Sequence, residues 1–317
     1  MPPDPAIFHD ALVLTGPTGS GKSALALELA PEFNAEIIAL DSMTLYKGMD
    51  IGTAKPTRDE QDRVQHHLID VLEPWESGSV AWWLERAAEA CLDIRKRGKQ
   101  PLLVGGTPFY LKALLHGLFE APAVDPAIRL RLEAEVAELG AAAIHARLAD
   151  VDPISAARLH VNDVRRVIRA LEVFESTGRP ISALQQTWTS EQFQPQQPAT
   201  TARLKCVAII WPRVELVQRL EQRVQAMFAA GWLDEVRKLR ALPQPLSKEA
   251  SQALGYPEIG VHLDGQVSLE ETMEQIQIRT RQYAKRQLTW FRHLPGCEML
   301  EMNDNIREQV LNRFQSG

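Results

Sequence analysis

Gly16-Pro17-Thr18-Gly19-Ser20-Gly21-Lys22-Ser23, reading GPTGSGKS, is the stretch on which the fold turns. An apolar run, Ala11 to Thr15 (ALVLT), precedes it and reads as a short buried strand. Ser23 to Ala30 (SALALELA), a run of helix formers, follows. Strand, glycine loop and helix are the setting in which G-x-x-x-x-G-K-[ST] acts as a phosphate-binding loop. The glycines let the backbone wrap an anion with its N–H groups inward, and the helix N-terminus adds roughly half a positive charge. Lys22 is then expected to neutralise phosphate oxygens, and the Ser23 hydroxyl to ligate Mg²⁺. A diphosphate or a nucleotide such as ATP is the implied occupant. The loop alone does not say which reaction it serves.

Working outward, Glu36 to Leu40 (EIIAL) is a second strand that delivers Asp41 and Ser42 at its C-terminal end, where open α/β sheets place their ligands. Lys47 to Arg58 reads as a loop long enough to be functional. His67 to Val71 is a third strand candidate. Ser79 caps a helix that runs to Arg97 and closes at Gly98. Pro101 to Val104 (PLLV) is a fourth strand, leading into Gly105-Gly106-Thr107. This alternation predicts an α/β fold with a P-loop-containing parallel sheet flanked by helices. From Ala121 the texture changes to helical runs at Ala127 to Leu139, Ala141 to Ala149, Pro153 to Leu159 and Asp163 to Ser176, with no strand signal. Residues 121–195 are therefore read as an all-helical insertion domain, and 1–120 with 200–317 as the P-loop core. Thr189 to Thr201 reads as a Gln/Pro linker. Arg203 to Ile210 (RLKCVAII) returns to the sheet, and helices follow at Val214 to Ala230, Leu233 to Ala241 and Ser268 to Arg292.

The 317 residues are 45% hydrophobic and 24% charged, as in ordinary globular proteins, and no apolar run approaches the roughly 20 residues of a membrane helix. The N-terminus is acidic and proline-rich, unlike a signal peptide. Cys91, Cys206 and Cys297 form no C-x-x-C and read as reduced thiols of a cytoplasmic protein. A net charge of −6 argues weakly against nucleic acid, but local charge decides that question.

Asp41, at a strand end beside the phosphate loop, is the candidate acid or base; a turn cap is the bland reading of the same residue. No acid stands at the end of the PLLV strand, where a motor-type ATPase needs one for Mg²⁺. The terminal run Arg279 to Arg292 carries five Lys/Arg and no acid in fourteen residues, with Tyr283, Trp290 and Phe291 interleaved. Such a helix either binds an RNA backbone and stacks on bases or is a solvated face with aromatics in the core. Arg165 and Arg169, at i and i+4, give a second basic surface, and the pair suits a clamp around a folded RNA. His66 and His67 are read as loop or core residues.

Together these motifs resemble the tRNA dimethylallyltransferase (isopentenyltransferase) family in its short bacterial form. The resemblance rests on GPTGSGKS, DSMTLYKGMDIGTAKP from Asp41 to Pro56, HHLID at His66 to Asp70 and GGT at Gly105 to Thr107. It continues through NDVRRVIRALEVF at Asn162 to Phe174, ALGY at Ala253 to Tyr256, and RTRQYAKRQLTWFR from Arg279. Gly19, Ser23 and Pro108-Phe109 stand where the family usually has Ala, often Thr, and Met-Leu or Gly-Leu. The resemblance implies transfer of a dimethylallyl group from dimethylallyl diphosphate to the N6 amine of the adenosine 3′ of the anticodon, in tRNAs reading U-starting codons. It makes Asp41 the proton acceptor, Ser23 the Mg²⁺ ligand, and Thr107 and Arg223 neighbours of the diphosphate. It also implies tRNA contacts from Asp41, Ser42, Met43, Thr44, Thr107, Arg129, the segment Arg165, Arg166, Val167, Ile168 and Arg169, and the segment Lys285, Arg286, Gln287, Leu288, Thr289, Trp290, Phe291 and Arg292. The partner is tRNA, with no membrane, and the expected state is a monomer. Competing readings are a P-loop kinase of a small metabolite, which needs neither the insertion nor the basic helix, and an RNA-binding module that merely stores nucleotide.

Overall fold

A computed structural model of the chain describes residues 3–118, 125–184 and 204–316, which fall into two compact units. The expected Thr189 to Thr201 linker lies outside the described residues. In the first unit, strands β1 (Leu12–Thr15), β2 (Ala35–Ala39), β3 (His66–His67), β4 (Gln100–Gly105), β5 (Lys205–Ile210) and β6 (Cys297–Glu301) form one parallel sheet. Their order is β3-β2-β4-β1-β5-β6. Every residue of β1 and β2 is buried, which is why these strands read as unbroken apolar runs. The helices of this unit are α1 (Lys22–Leu29), α2 (Arg58–Arg63), α3 (Val80–Lys96) and α4 (Pro108–His116). The second unit holds α5 (Pro126–Leu139), α6 (Ala141–Val151), α7 (Pro153–Arg158), α8 (Val164–Thr177) and α9 (Ile181–Leu184). The first unit resumes with α10 (Arg213–Ala229), α11 (Trp232–Arg240), α12 (Tyr256–Leu263), α13 (Leu269–Arg292) and α14 (Ile306–Gln315).

One face of the sheet buries Leu12, Leu14, Val207 and Ile209 against α1 and α14, with Phe314 edge-on to Phe33 at 5.8 Å. Trp83 of α3 is fully buried, stacks on Tyr110 at 4.7 Å, and donates its indole N–H to the carbonyl of Ala39 at 2.9 Å. That bond fixes the end of β2, the residue pair before Asp41. The register pairs Thr15 with Gly105 and Ala39 with Val104, so the ends of β1, β2 and β4 lie along one edge. The chain order leaves that edge open between β1 and β2, with β4 between them, and there the site is built.

The expected third strand is shorter and earlier than His67 to Val71. Leu68 and Asp70 take positive φ of 61° and 55°, and the Asp70 carboxylate bonds the Lys55 ammonium at 2.5 Å, so the chain turns there. His66 and His67 therefore belong to the sheet edge. His67 Nε2 meets Glu36 at 2.7 Å, in a cluster where Arg97 and Lys99 reach the same buried carboxylate. Hydrogen bonds from Arg97, Lys99 and His67 outweigh burial and hold the Glu36 carboxyl down at about 2. Cys206 and Cys297, distant in sequence, are register partners across β5 and β6, and both thiols are free.

The second unit has its own core of Leu132, Ile144, Leu148, Val167, Ile168 and Leu171. Asp152, buried at the joint of α6 and α7, accepts from Ser155 N–H, Ser155 Oγ and Ser182 N–H at 2.7–3.0 Å. Arg131 and Arg147 each bridge Glu135 and Glu175, closing a four-member ring of charges.

Candidate active site

The glycine loop owes its shape to a few tight places. Gly16 sits at φ 147°, and a Cβ there would lie 2.4 Å from the Ile209 carbonyl oxygen. Gly21, the N-cap of α1, is left-handed at φ 85°. The outside of the loop is pinned by Trp211, whose indole donates to the Ser20 carbonyl at 2.9 Å. Arg219 donates to the Gly19 carbonyl at 2.9 Å and stacks over Trp211 at 4.3 Å. The Ser20 side chain is fully buried behind the loop, so only its backbone can serve an anion. A Cβ on Gly19 would come 2.8 Å from Leu220 Cδ2, a flexible side-chain end.

Inside the loop is a cavity of about 570 Å³. Thr18, Lys22, Ser23, Asp41, Arg223 and Arg286 are among the side chains that line it. Lys22 also donates to the Pro17 carbonyl at 3.3 Å. Burial and the neighbouring Arg223 guanidinium push the Lys22 ammonium down to about 8, while Asp41 opposes them. Burial lowers Arg223 as well, again against Asp41. Three cations, Lys22, Arg223 and Arg286, and two carboxylates, Asp41 and Glu60, thus line one cavity with an excess of positive charge, the setting an anionic leaving group needs.

Asp41 is held by the turn it begins. Its Oδ1 accepts from the N–H groups of Met43 at 2.8 Å and Thr44 at 3.3 Å, so it caps a turn and also lines the cavity. Both of these bonds fall on Oδ1. The Ser42 N–H is held by Thr107 Oγ1 at 3.1 Å, and Thr107 is not among the residues lining the cavity. Gly105 is required beneath this turn, because a Cβ there would sit 2.0 Å from the Leu40 carbonyl oxygen. The Thr44 hydroxyl is buried on the cavity without a partner.

Several residues expected to touch RNA do other work. Gln287 is 2% exposed; its Oε1 accepts from Thr18 N–H at 2.9 Å and its Nε2 donates to the Gly106 carbonyl at 2.6 Å. One amide on α13 therefore ties the glycine loop to the turn that carries Thr107, and Thr18 N–H points at it rather than at an anion. Phe291 is 1% exposed, and Leu288 packs on Leu216 and Leu220. Val167 and Ile168 lie in the helical core, out of reach of any RNA. Arg129 and Arg169 both pair with Glu172, which is 2% exposed. Arg165, Arg166, Lys285, Arg286, Thr289 and Arg292 are exposed, Trp290 half so.

A model of the IPP transferase family matches residues 44–294, and one of isopentenyl transferases matches residues 9–78. The chain belongs to the IPP transferase family. The tRNA dimethylallyltransferase of Geobacter metallireducens is 47% identical over 281 residues, 89% of each chain. That of Geobacter sulfurreducens is 43% identical over 93% of each. Among solved structures, the full-length tRNA isopentenylpyrophosphate transferase of Bacillus halodurans is 36% identical with a TM-score of 0.67, over 96% of this chain and 97% of that one. A eukaryotic dimethylallyltransferase captured acting on tRNA is 29% identical with a TM-score of 0.71, over 93% and 74%. These likenesses favour an IPP transferase over the metabolite-kinase reading.

Sequence reasoning missed three supports of this IPP transferase cavity. Tyr283 lines it and is pushed up by burial and by Asp41. Trp211 and Glu235 hold loops from elements remote in sequence, and no motif announced either. Among the described residues no group of three His, Cys, Asp or Glu could hold a metal ion. Ser23 is the hydroxyl that fits Mg²⁺, an ion that keeps waters and takes its remaining oxygens from substrate phosphates.

Proposed function

We propose that this IPP transferase moves a dimethylallyl group from dimethylallyl diphosphate to N6 of the adenosine 3′ of the anticodon, in tRNAs that read U-starting codons. The observation that carries the reading is the shared cavity, lined together by Lys22 and Ser23 of the glycine loop, by Arg223 and by Asp41. The adenine N6 lone pair attacks the allylic C1, the C1–O bond breaks, and the electron pair leaves with diphosphate. Lys22, Arg223 and the loop N–H groups stabilise the charge on that leaving group. The proton lost from N6 passes to Asp41, on the oxygen not engaged by the Met43 and Thr44 N–H groups. The Thr44 hydroxyl is available to the purine edge. Mg²⁺, held by Ser23 and the diphosphate's own oxygens, would supply further charge neutralisation.

An adenine amine is a poor nucleophile, so alignment does much of the work. Here Gln287 fixes the leaving-group loop against the turn of Thr107, which in turn holds Ser42 beside Asp41. Basic residues of α13 and of α8 serve the RNA backbone, each from its own unit, which makes binding salt-dependent. No helix among the described residues is long and apolar enough to cross a membrane, and a tRNA substrate suits the cytoplasm. Mass analysis of tRNA nucleosides after incubation with dimethylallyl diphosphate and Mg²⁺ tests the proposal. The expected product is N6-isopentenyladenosine; unmodified tRNA alongside a folded protein overturns it.

A further inference from the structure

Glu235 of α11 is 8% exposed and takes no part in the chemistry above. Its carboxylate accepts four hydrogen bonds. Oε2 takes the N–H groups of Asp50 at 2.8 Å and Ile51 at 2.6 Å; Oε1 takes Gly52 N–H at 3.1 Å and the Tyr256 hydroxyl at 2.7 Å. Three successive backbone donors converge on one buried charge, the geometry by which proteins usually seize an anion. Here the anion belongs to the protein, and what is seized is its own loop.

The grip leaves that loop no slack. A Cβ on Gly52 would lie 2.2 Å from Trp232 Nε1 and 2.7 Å from Tyr256, so the turn is pressed flat against both rings. Lys55 anchors the far end, its ammonium bonding the Tyr46 carbonyl at 2.7 Å and Asp70 at 2.5 Å, with its side chain 3% exposed. Between these anchors, Gly52, Thr53 and Ala54 form part of the cavity wall, continued by Met227, Trp232 and Leu254. Most polar side-chain atoms of the loop and its support are engaged within the protein, the buried Trp232 indole N–H being the exception. Thr53 Oγ1 donates to the Met49 carbonyl at 2.6 Å, and the Tyr256 hydroxyl goes to Glu235. A purine needs partners for its ring nitrogens and amine. A wall made mostly of carbon, with one unpaired indole N–H among its polar side-chain atoms, suits a hydrocarbon better than a purine.

We infer that Glu235 is a positioning residue that sets this wall, and that the wall limits the length of prenyl chain the donor can carry. The inference rests on the prenyl-transfer reading. Loss of the carboxylate frees three N–H groups and lets the turn relax outward. A rigid wall discriminates by excluding bulk, so its loosening admits longer chains and weakens the grip on the short one.

The test compares wild type, Glu235→Gln, Glu235→Asp and the surface control Arg237→Ala, each checked by circular dichroism and thermal unfolding. Steady-state kinetics are measured with dimethylallyl diphosphate and with geranyl diphosphate on one tRNA. Glu235→Gln is expected to raise KM for the five-carbon donor about tenfold, with kcat falling less than threefold. KM for tRNA should stay unchanged and the preference over geranyl diphosphate should shrink at least tenfold. Arg237→Ala should match wild type. A merely structural role would lower the melting temperature without moving donor selectivity, and that result overturns the inference. So does a change confined to KM for tRNA. Glu235→Asp, which folds more conservatively, is expected to show the same selectivity change in smaller degree, and unchanged selectivity in both variants likewise overturns the inference. Absence of prenyl transfer by wild type would instead sink the activity itself, so the two failures are distinguishable.

Discussion

The cavity of the sheet unit and the helical unit treat their polar groups in opposite ways. In the sheet unit, Lys22, Asp41, Arg223 and Thr44 are turned toward a cavity, and their charges are left partly uncompensated. In the helical unit, Arg129, Arg131, Arg147 and Arg169 are turned toward Glu172, Glu135 and Glu175 and neutralised. A run of arginines in the sequence therefore means different things in the two places. What separates a binding arginine from a structural one is the presence of a buried carboxylate partner, and spacing alone does not report it.

The largest effect that could break this contrast is at Asp41. Asp41→Ala is expected to lower kcat by about 10²–10⁴-fold with tRNA affinity nearly unchanged. Single-turnover prenylation and filter binding would measure both, and a normal turnover would remove Asp41 from the chemistry. Next comes Glu172→Gln in the helical unit. Removing one partner of a buried ion pair costs about 3–5 kcal/mol, read as faster hydrogen exchange across residues 125–184. Exchange that matches wild type would mean Arg129 and Arg169 are held by something else. Smaller again is Arg165→Ala on the exposed side of α8, which should weaken tRNA binding and reduce the salt slope by about 1. An unchanged slope would confine RNA contacts to other residues.

The smallest effect sharpens the electrostatic side. Lys22 titrates near 8 when the cavity holds no anion, and a bound diphosphate raises it. Below that pH the ammonium is charged and binds. As pH rises through about 8 the charge is lost and diphosphate affinity falls. Between about pH 8 and 9, binding should take up protons, which calorimetry in buffers of different ionisation enthalpy detects as a buffer-dependent heat. Buffer-independent heat would mean Lys22 stays protonated throughout.

How much of this was legible in the sequence follows from where each constraint resides. Strands β1, β2, β4 and β5 were readable because burial on both faces makes their runs uniformly apolar. β6 was not: its residues Cys297 to Glu301 are half-buried at a sheet edge and mix Glu with apolar side chains. α4, which begins with Pro108 in its first turn, was not among the expected elements, Pro108-Phe109 being read only as a departure from the family pattern. The glycine loop was readable because one backbone shape needs contiguous residues. Gln287 and Glu235 act on partners 269 and 185 residues away, so no local pattern encodes them. The family resemblance implies a tRNA contact for Gln287, yet its side chain faces inward from α13, to Thr18 and Gly106.

Lys22 and Arg223 crowd their like charges together around one pocket, and that crowding has an aftermath once the prenyl group has left. Free diphosphate has one more ionisable oxygen than its ester, so the by-product suits this cage at least as well as the donor did. Turnover then depends on how fast the by-product escapes, and a cell that hydrolyses diphosphate as it appears would keep the enzyme from stalling on its own waste.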